Sequence, residues 1–206
     1  SISRQSIFYK EGNCPMTKNI LGAKVAIFTS ITAIVMAVFH IYTSGFGTFP
    51  ALQQRPIHLA FTLILTFFVY PITRSDKSNK WQILINSVYS LAALAACGNI
   101  AFHVYYVLFD RAGASTQLDI VLGSILIFLV LEMTRRVMGW ALPIITIVFI
   151  AYGFLGSYIT IPYLSHAGMD VHRFIAYIYL STEGIFTMHL GVSTNFIDIF
   201  VILASF

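Results

Sequence analysis

Charged side chains are scarce in this sequence of 206 residues. They make up 10% of the chain, whereas an ordinary soluble domain carries about 25%. Apolar residues make up 58%, compared with roughly 45–50% in soluble domains. A single soluble domain of this length would have to expose much of that apolar surface to water, whereas a lipid bilayer solvates it. The composition therefore predicts an integral membrane protein and excludes an ordinary soluble domain.

Cysteine is rare as well, and the common catalytic motifs are missing. The two cysteines, Cys14 and Cys97, give neither a disulfide framework nor a metal-ligand spacing, so we expect both to be free thiols. The sequence contains no nucleophile elbow, no Walker loop and no zinc helix signature. The basic residues stand in short groups between apolar runs, which is not the clustering that nucleic-acid binding requires. We therefore expect no enzyme activity, no metal site and no nucleic-acid partner.

Long apolar runs predict an all-α integral membrane bundle of about five transmembrane helices, because a spanning helix needs about 20 apolar residues. The runs extend over about 25–42, 57–72, 83–108, 118–133 and 137–161. Pro56 is expected in the first turn of the second helix, where proline is tolerated. Apolar residues recur at helical spacing over 170–181, which predicts an amphipathic helix in the membrane interface. A further hydrophobic segment starts near Ile185.

The number of Lys and Arg residues alternates between successive polar segments. The leader up to Lys24 contains four, and the next five segments contain one, three, one, two and one. Cytoplasmic segments carry the excess of Lys and Arg, so this alternation predicts a cytoplasmic N-terminus. The sequence stops at Phe206 inside an apolar run without a polar flank, and we expect it to be the first portion of a longer polypeptide.

Several short elements of the sequence occur in a recognisable order. They are Phe39-His-Ile-Tyr42, Gln54-Arg-Pro-Ile-His58, Asp119-Ile-Val-Leu-Gly123, Glu132-Met-Thr-Arg-Arg-Val-Met-Gly-Trp-Ala-Leu-Pro143, Ala151-Tyr-Gly-Phe-Leu-Gly156 and Leu180-Ser-Thr-Glu-Gly-Ile-Phe186. Together they resemble the fused permeases of tripartite ATP-independent periplasmic (TRAP) transporters, and most of all the TAXI branch. The resemblance covers about residues 35–200.

This resemblance implies a secondary importer of small organic anions (carboxylates) in the bacterial inner membrane. A periplasmic substrate-binding protein of TAXI type would deliver the solute, and a large transport domain would carry it by an elevator-like movement driven by Na⁺ or H⁺. Residues 1–24 would be a cytoplasmic leader, residues 25–160 a small-subunit-like bracing domain with an extra N-terminal helix, and residues 161–206 the interfacial helix and the start of the large domain. The chain would be mainly scaffold, with no cofactor besides the coupling ion.

Asp198 is the only acidic residue in the last apolar run. An intramembrane carboxylate is costly, so it usually faces protein or water and has a partner. Together with Ser193, Thr194 and Asn195, it could bind Na⁺ or H⁺ or line the substrate path. A structural hydrogen-bond anchor is the alternative interpretation.

Two further groups of residues are candidates for contacts between domains. Glu132 can pair with Arg136 at the i,i+4 spacing, and Arg135 lies beside them. This group predicts an interfacial ion pair that sets topology, or else a contact to the transport domain or to anionic lipid head groups. Glu183 and Gly184 follow the predicted interfacial helix and are a candidate hinge.

Three histidines, His40, His58 and His103, fall near the outer ends of predicted helices. Histidines on separate helices can ligate metal or haem, which makes a cytochrome-b-like membrane anchor of a redox complex the alternative function. Solvated or helix-linking histidines are the favoured interpretation. A third function, an intramembrane hydrolase or acyltransferase, needs a nucleophile and a base on facing helices, and the sequence shows no such pair.

Overall fold

The computed structural model describes residues 20–47, 49–70, 80–111, 114–158, 163 and 167–197, and these residues form helices and connecting turns without a strand. The helices are α1 Ile20–Phe46, α2 Ala51–Val69, α3 Lys80–Tyr105, α4 Gln117–Met138, α5 Ala141–Leu155, α6 Val171–Tyr179 and α7 Met188–Val192. A π-helical turn, Tyr106–Asp110, follows α3, and a second one, Ser193–Ile197, follows α7. The predicted all-α class is confirmed for this part of the chain.

Three of the described helices are long and apolar enough to cross a membrane. They contain the spans Val25–Phe46, Trp81–Tyr105 and Gln117–Met138, while α5 is apolar but has only 15 residues. Large apolar side chains on α1 and α5 are exposed, for example Ile34 at 62% and Phe149 at 68%. In water each exposed Å² of such surface would cost about 25 cal/mol, so it has to face lipid or protein. The chain is a membrane protein.

Helix α2 is the central helix of the bundle. It packs against α1, α3, α4, α7 and the second π-helical turn, and nine of its 19 residues are buried. Leu63 and Phe67 of α2 are completely enclosed, and α3, which packs against α2, contains Ala93 and Ala96, which are also 0% exposed. Small side chains let helix backbones approach closely in lipid, as predicted for α3. Cys97, another buried small residue of α3, is a free thiol as predicted, and Cys14 lies outside the described residues.

Two predicted helix boundaries are wrong. Helix α2 begins at Ala51 behind the N-cap residue Pro50, so Pro56 lies inside the helix and costs it one backbone hydrogen bond. The fifth predicted span does not begin at residue 137, because α4 continues to Met138 and ends at Gly139. Gly139 has a φ of 87°, which glycine adopts without steric cost, and the chain changes direction there before α5 begins.

Helix α6 covers the bundle with one apolar face, as its sequence period predicts. Ile175 and Tyr179 are buried, whereas Val171 at its start is exposed. The close approach to α4 occurs at Gly123, where a Cβ would lie 3.0 Å from Ile175 Cγ2. The Tyr179 hydroxyl donates a hydrogen bond to the carbonyl oxygen of Ala96, and burial raises the pKa of Tyr179, so the phenol stays neutral.

The turn between α6 and α7 is held by a glycine. The Ile185 N–H donates to the Ile178 carbonyl oxygen at 2.9 Å, and Gly184 lies so close to Ile178 that an added Cβ would collide with its backbone. Next to it, Glu183 is exposed and Phe186 is fully buried. Glu183 and Gly184 therefore lie in a tightly packed turn, and their role as a hinge stays a prediction.

Replacing Gly184 by Ala is expected to lower the stability of the protein by about 1–3 kcal/mol, because the Ile178 backbone must move to admit the Cβ. Gly153→Ala in α5 is the matched control, since no atom lies within 4 Å of its Cβ position. Alanine is also the better helix former there by about 1 kcal/mol. Thermal unfolding in detergent should give a lower Tm for G184A and an unchanged or higher Tm for G153A. Equal Tm values for the two variants would contradict the close packing at Gly184.

Candidate functional site

Buried polar side chains meet where α1, α2 and the segment 186–197 come together. We call this set the polar junction, and its members are His40, Gln54, Arg55, His58, Ser193 and Asn195. His40, Gln54 and His58 are 1%, 3% and 4% exposed. Polar groups buried this deeply need hydrogen-bond partners, because no water replaces the bonds that they lose.

The two buried histidines link α1 to α2. Nδ1 of His58 lies 3.0 Å from Nε2 of His40, and the ring planes meet at 72°. One proton lies between these nitrogens, and the tautomers decide which ring donates it. His103 is different, since it is exposed and its Nδ1 lies 3.0 Å from the carbonyl oxygen of Asn99 in its own helix. The helix-linking interpretation therefore applies to His40 and His58, and the solvated one to His103.

Helix α2 also holds the segment that contains α7. Nε2 of Gln54 donates to Oδ1 of Asn195 at 2.8 Å, and Nε2 of His58 lies 3.5 Å from the Ser193 hydroxyl. Gln54 and His58 are four residues apart, so they lie on the same face of the helix, one turn from each other. Two consecutive turns of α2 thus contact the π-helical turn Ser193–Ile197.

Arg55, the residue after Gln54 in α2, also holds the segment that contains α7. Its Nη1 donates to the Phe186 carbonyl oxygen at 2.7 Å. The guanidinium lies against Gly191, where a Cβ would come within 2.8 Å of Arg55 Nε. Hydrogen bonds from a charged donor are about twice as strong as neutral ones, so Arg55 is a firm anchor for α7.

The residues predicted for an ion or substrate path fall largely in this region. Ser193 and Asn195 belong to the polar junction, and Thr194 is buried next to them with its hydroxyl donating to the Leu190 carbonyl oxygen. They occupy a π-helical turn, a conformation that is frequent at functional sites. Asp198, the fourth predicted residue, lies outside the described residues.

Sequence reasoning did not identify Gln54 and Arg55 as members of a site. The available signal was the run Gln54-Arg-Pro-Ile-His58, in which polar side chains occur at i, i+1 and i+4 of a helix that is mostly apolar. From the sequence, Arg55 is only the single basic residue of the polar segment between the first two apolar runs. The structure shows that its charge is directed at the protein itself.

A second polar cluster lies at the C-terminal end of α4. Glu132 binds Arg135 at 2.7 Å and Arg136 at 2.9 Å, so the predicted i,i+4 pair is present. The Arg135 side chain is 23% exposed, and its guanidinium lies 5.2 Å from the ring centre of the exposed Trp140. An arginine and a tryptophan side by side at a helix end are typical of the membrane interface, and contact of Arg135 with lipid head groups stays a prediction.

Arg136 points into the bundle, where it joins three helices. Its side chain is 1% exposed and donates to the carbonyl oxygens of Phe67 and Tyr70 at the end of α2 and to Oδ1 of Asn86 in α3. The guanidinium also lies over the rings of Phe67 and Tyr89, at 4.9 and 5.5 Å. Its contacts within the described residues are therefore to α2, α3 and α4, and contact of Arg136 with lipid head groups or with a transport domain stays a prediction.

A third cluster holds the start of α4. Asp119 is 1% exposed, forms a capping box with Thr116 and binds Arg111 at 2.8 Å. Asn99 of α3 lies 3.4 Å from the same carboxylate. The capping box satisfies backbone N–H groups that every helix start leaves unpaired, so this cluster has a structural role.

Chemically, the polar junction can bind and release protons and can hold a segment in place. Its imidazoles can donate and accept hydrogen bonds, and its amide and guanidinium groups donate them. Within the described residues there is no group of three or more His, Cys, Asp or Glu side chains that could hold a metal ion.

Comparisons with known proteins give no relative for this chain. No protein-family model, no curated protein and no solved structure matches it. Support for a function therefore comes from the residues of the chain itself.

Arg136→Lys is expected to destabilise the protein by about 1–3 kcal/mol, because lysine keeps the charge but cannot make the planar, multiple contacts of a guanidinium. Arg135→Lys is the matched control, since the neighbouring side chain is partly exposed and, among the described residues, binds Glu132 of its own helix and contacts the Trp140 ring. The measurement is the Tm of each variant in detergent. A drop for R135K that equals the drop for R136K would contradict the assigned role of Arg136.

Proposed function

We propose that this chain is the N-terminal portion of a membrane carrier that imports small organic anions, such as carboxylates. The family proposed is the TRAP transporter permeases with fused subunits, of the TAXI branch. A periplasmic binding protein delivers the solute, and a Na⁺ or H⁺ gradient drives the import. The chain is mainly scaffold and not an enzyme, it requires no cofactor besides the coupling ion, and it lies in the bacterial inner membrane with its N-terminus in the cytoplasm.

The polar junction is the observation that carries this proposal. It joins α2 to the segment 186–197, in the region where the resemblance would start the large transport domain. The joining contacts are Gln54 to Asn195 and Arg55 to the Phe186 carbonyl oxygen. Hydrogen bonds between helices in a membrane are worth only about 0.6–2 kcal/mol each, so they can hold two parts together and still exchange during movement. A fixed brace against a moving domain requires contacts of this kind.

The five-span arrangement belongs to the same proposal. Helix α2 would be about 28 Å long at 1.5 Å per residue, close to the thickness of the hydrocarbon layer of about 30 Å. Helix α5 would be about 22 Å long and would need a locally thinner bilayer or polar flanks. In this arrangement α6 lies along the interface, with Ile175 and Tyr179 directed at the bundle.

The alternative function, a cytochrome-b-like anchor of a redox complex, is favoured by one observation, the burial of His40 and His58 on neighbouring helices. Two axial imidazoles of one haem iron lie on opposite sides of the metal, so their ligating nitrogens would be about 4 Å apart at about 2 Å per bond. The two nitrogens that face each other are 3.0 Å apart, which is a hydrogen-bond distance. The geometry fits a shared proton better than a pair of axial haem ligands, and this favours the carrier.

Optical absorbance of the purified protein distinguishes the two functions. The carrier proposal expects no haem band from protein that is expressed in cells able to make haem. The redox anchor expects a band that disappears in His40→Ala and persists in His103→Ala, because His103 is exposed and away from the junction. That second pattern would contradict the carrier proposal.

Transport is tested with the complete polypeptide that contains this chain, reconstituted in liposomes with its binding protein. Labelled small carboxylates should accumulate under an imposed Na⁺ or H⁺ gradient, and Asp198→Asn should alter the ion dependence. Absence of uptake for every carboxylate under both gradients would contradict the proposal, and unchanged ion dependence of D198N would contradict the role of Asp198.

The polar junction is tested in the same liposomes with Gln54→Leu, which leaves the Asn195 side chain without its donor. A lost hydrogen bond of about 1 kcal/mol corresponds to roughly fivefold slower uptake. Gln53→Leu is the control, because this neighbouring glutamine is only partly buried. Equal uptake rates for Q54L and Q53L would show that the junction does not affect transport.

A further inference from the structure

The His40–His58 pair lies beside the segment 188–197. The π-helical turn of this segment, Ser193–Ile197, packs against both α1 and α2. We infer that this pair binds one excess proton, and that the bound proton tightens the docking of the segment 188–197 onto α1 and α2. The ligand of the site is the proton itself, taken up from water by an imidazole nitrogen. The inference does not depend on solute transport.

The first step is a count of the protons that the pair can hold. In the neutral pair, one of the two nitrogens that face each other donates and the other accepts, which fits their distance of 3.0 Å. One excess proton turns His58 into an imidazolium that donates from Nδ1 to His40 and from Nε2 to Ser193. A second excess proton would place N–H groups on both facing nitrogens, and two donors repel each other at this distance. The geometry therefore accommodates one excess proton and not two.

The second step is the effect of that proton on Ser193. The Ser193 hydroxyl can accept as well as donate, so it serves the neutral and the charged form of His58. Its present distance of 3.5 Å from Nε2 is at the long limit for a hydrogen bond. Charged N–H donors prefer acceptors at about 2.7–2.9 Å, so protonation of His58 draws Ser193 and the π-helical turn toward α2.

The third step concerns the other charges that face the pair. On α2, Arg55 directs its guanidinium at the Phe186 carbonyl oxygen and Gly191. His189 of α7 and Tyr42 of α1 are exposed. The charged groups of α4, which also packs on α2, are bonded to one another or to Arg111 after α3. Asp198 follows the π-helical turn in the sequence and lies outside the described residues.

The consequence is that the docking of the segment 188–197 onto α1 and α2 depends on pH. Gln54, bonded to Asn195, holds the turn at any pH, whereas the His58–Ser193 contact strengthens when the pair is protonated. Acidification should therefore make the segment 188–197 more rigid without unfolding the bundle.

Hydrogen–deuterium exchange of the full chain in lipid nanodiscs measures this docking. After correction for the intrinsic effect of pH on exchange, the amides of 188–197 should be roughly fivefold better protected at low pH, because a charged donor adds about 1 kcal/mol to one hydrogen bond. Amides of α5 serve as the internal reference, because α5 contacts neither α1 nor α2. Equal protection of 188–197 at both pH values, or weaker protection at low pH, would overturn the inference.

Three variants identify the group responsible. Glutamine can donate and accept hydrogen bonds but takes up no proton, so His58→Gln should lose the pH dependence of protection, whereas His40→Gln, which leaves the His58 imidazole in place, should keep part of it. His103→Gln should keep it, because His103 is exposed on α3 and bonds to its own helix. A pH dependence that survives in H58Q, or that disappears in H103Q, would assign the effect to another group and overturn the inference.

Nuclear magnetic resonance of the unmodified chain with ¹⁵N-labelled histidine gives an answer even if the variants fail to fold. The expected signature is a scalar coupling between Nδ1 of His58 and Nε2 of His40, together with uptake of a single proton by the pair. Uptake of two protons in independent steps would contradict the site. These measurements need no transport activity, so a failed uptake assay and a failed proton site remain distinguishable.

Discussion

A polar atom buried in an apolar bundle inside a membrane must find its partner within the protein, because neither lipid nor water supplies one. Helix α2 shows what this constraint does. Its first turns carry Gln54, Arg55 and His58, and its last carbonyl groups face the interior. Partners come from α1 and the segment 186–197 at one end, and from Arg136 of α4 at the other. The arrangement of the bundle around α2 follows from these obligatory bonds.

The two ends of α2 differ in how firmly they are held. At the Arg136 end, one guanidinium bonds to a carboxylate, an amide and two carbonyl oxygens and lies between two aromatic rings, so the geometry is fixed by many simultaneous contacts. At the polar junction, Gln54, Arg55 and the imidazole pair make single, separate hydrogen bonds to the segment 186–197 and α1, so fewer contacts fix each group there. This difference suits a brace that stays rigid in the bundle and holds the following segment adjustably.

The sequence predicted well those features that depend only on residues close to one another in the chain. The period of α6, the small residues of α3 and the Glu132–Arg136 pair depend on spacing along one helix, and all three are present. The starts of α2 and α5 were predicted less well. Helix α2 extends upstream through Pro56, because packing against five neighbouring elements offsets the one lost hydrogen bond. Gly139 separates α4 from α5 within a nearly continuous apolar run.

By itself, the amino-acid sequence determined that this protein lies in lipid and is helical, because composition and periodicity are sums over neighbouring residues. The resemblance to a family of carriers rests on short sequence elements and stays a prediction. Only the tertiary structure decided that His40 faces His58, that Gln54 reaches Asn195 and that Arg136 turns inward instead of toward lipid. The residues of the Gln54–Asn195 pair are 141 positions apart. Which helix faces lie opposite each other depends on the packing of the whole bundle, and no pattern within one helix encodes it.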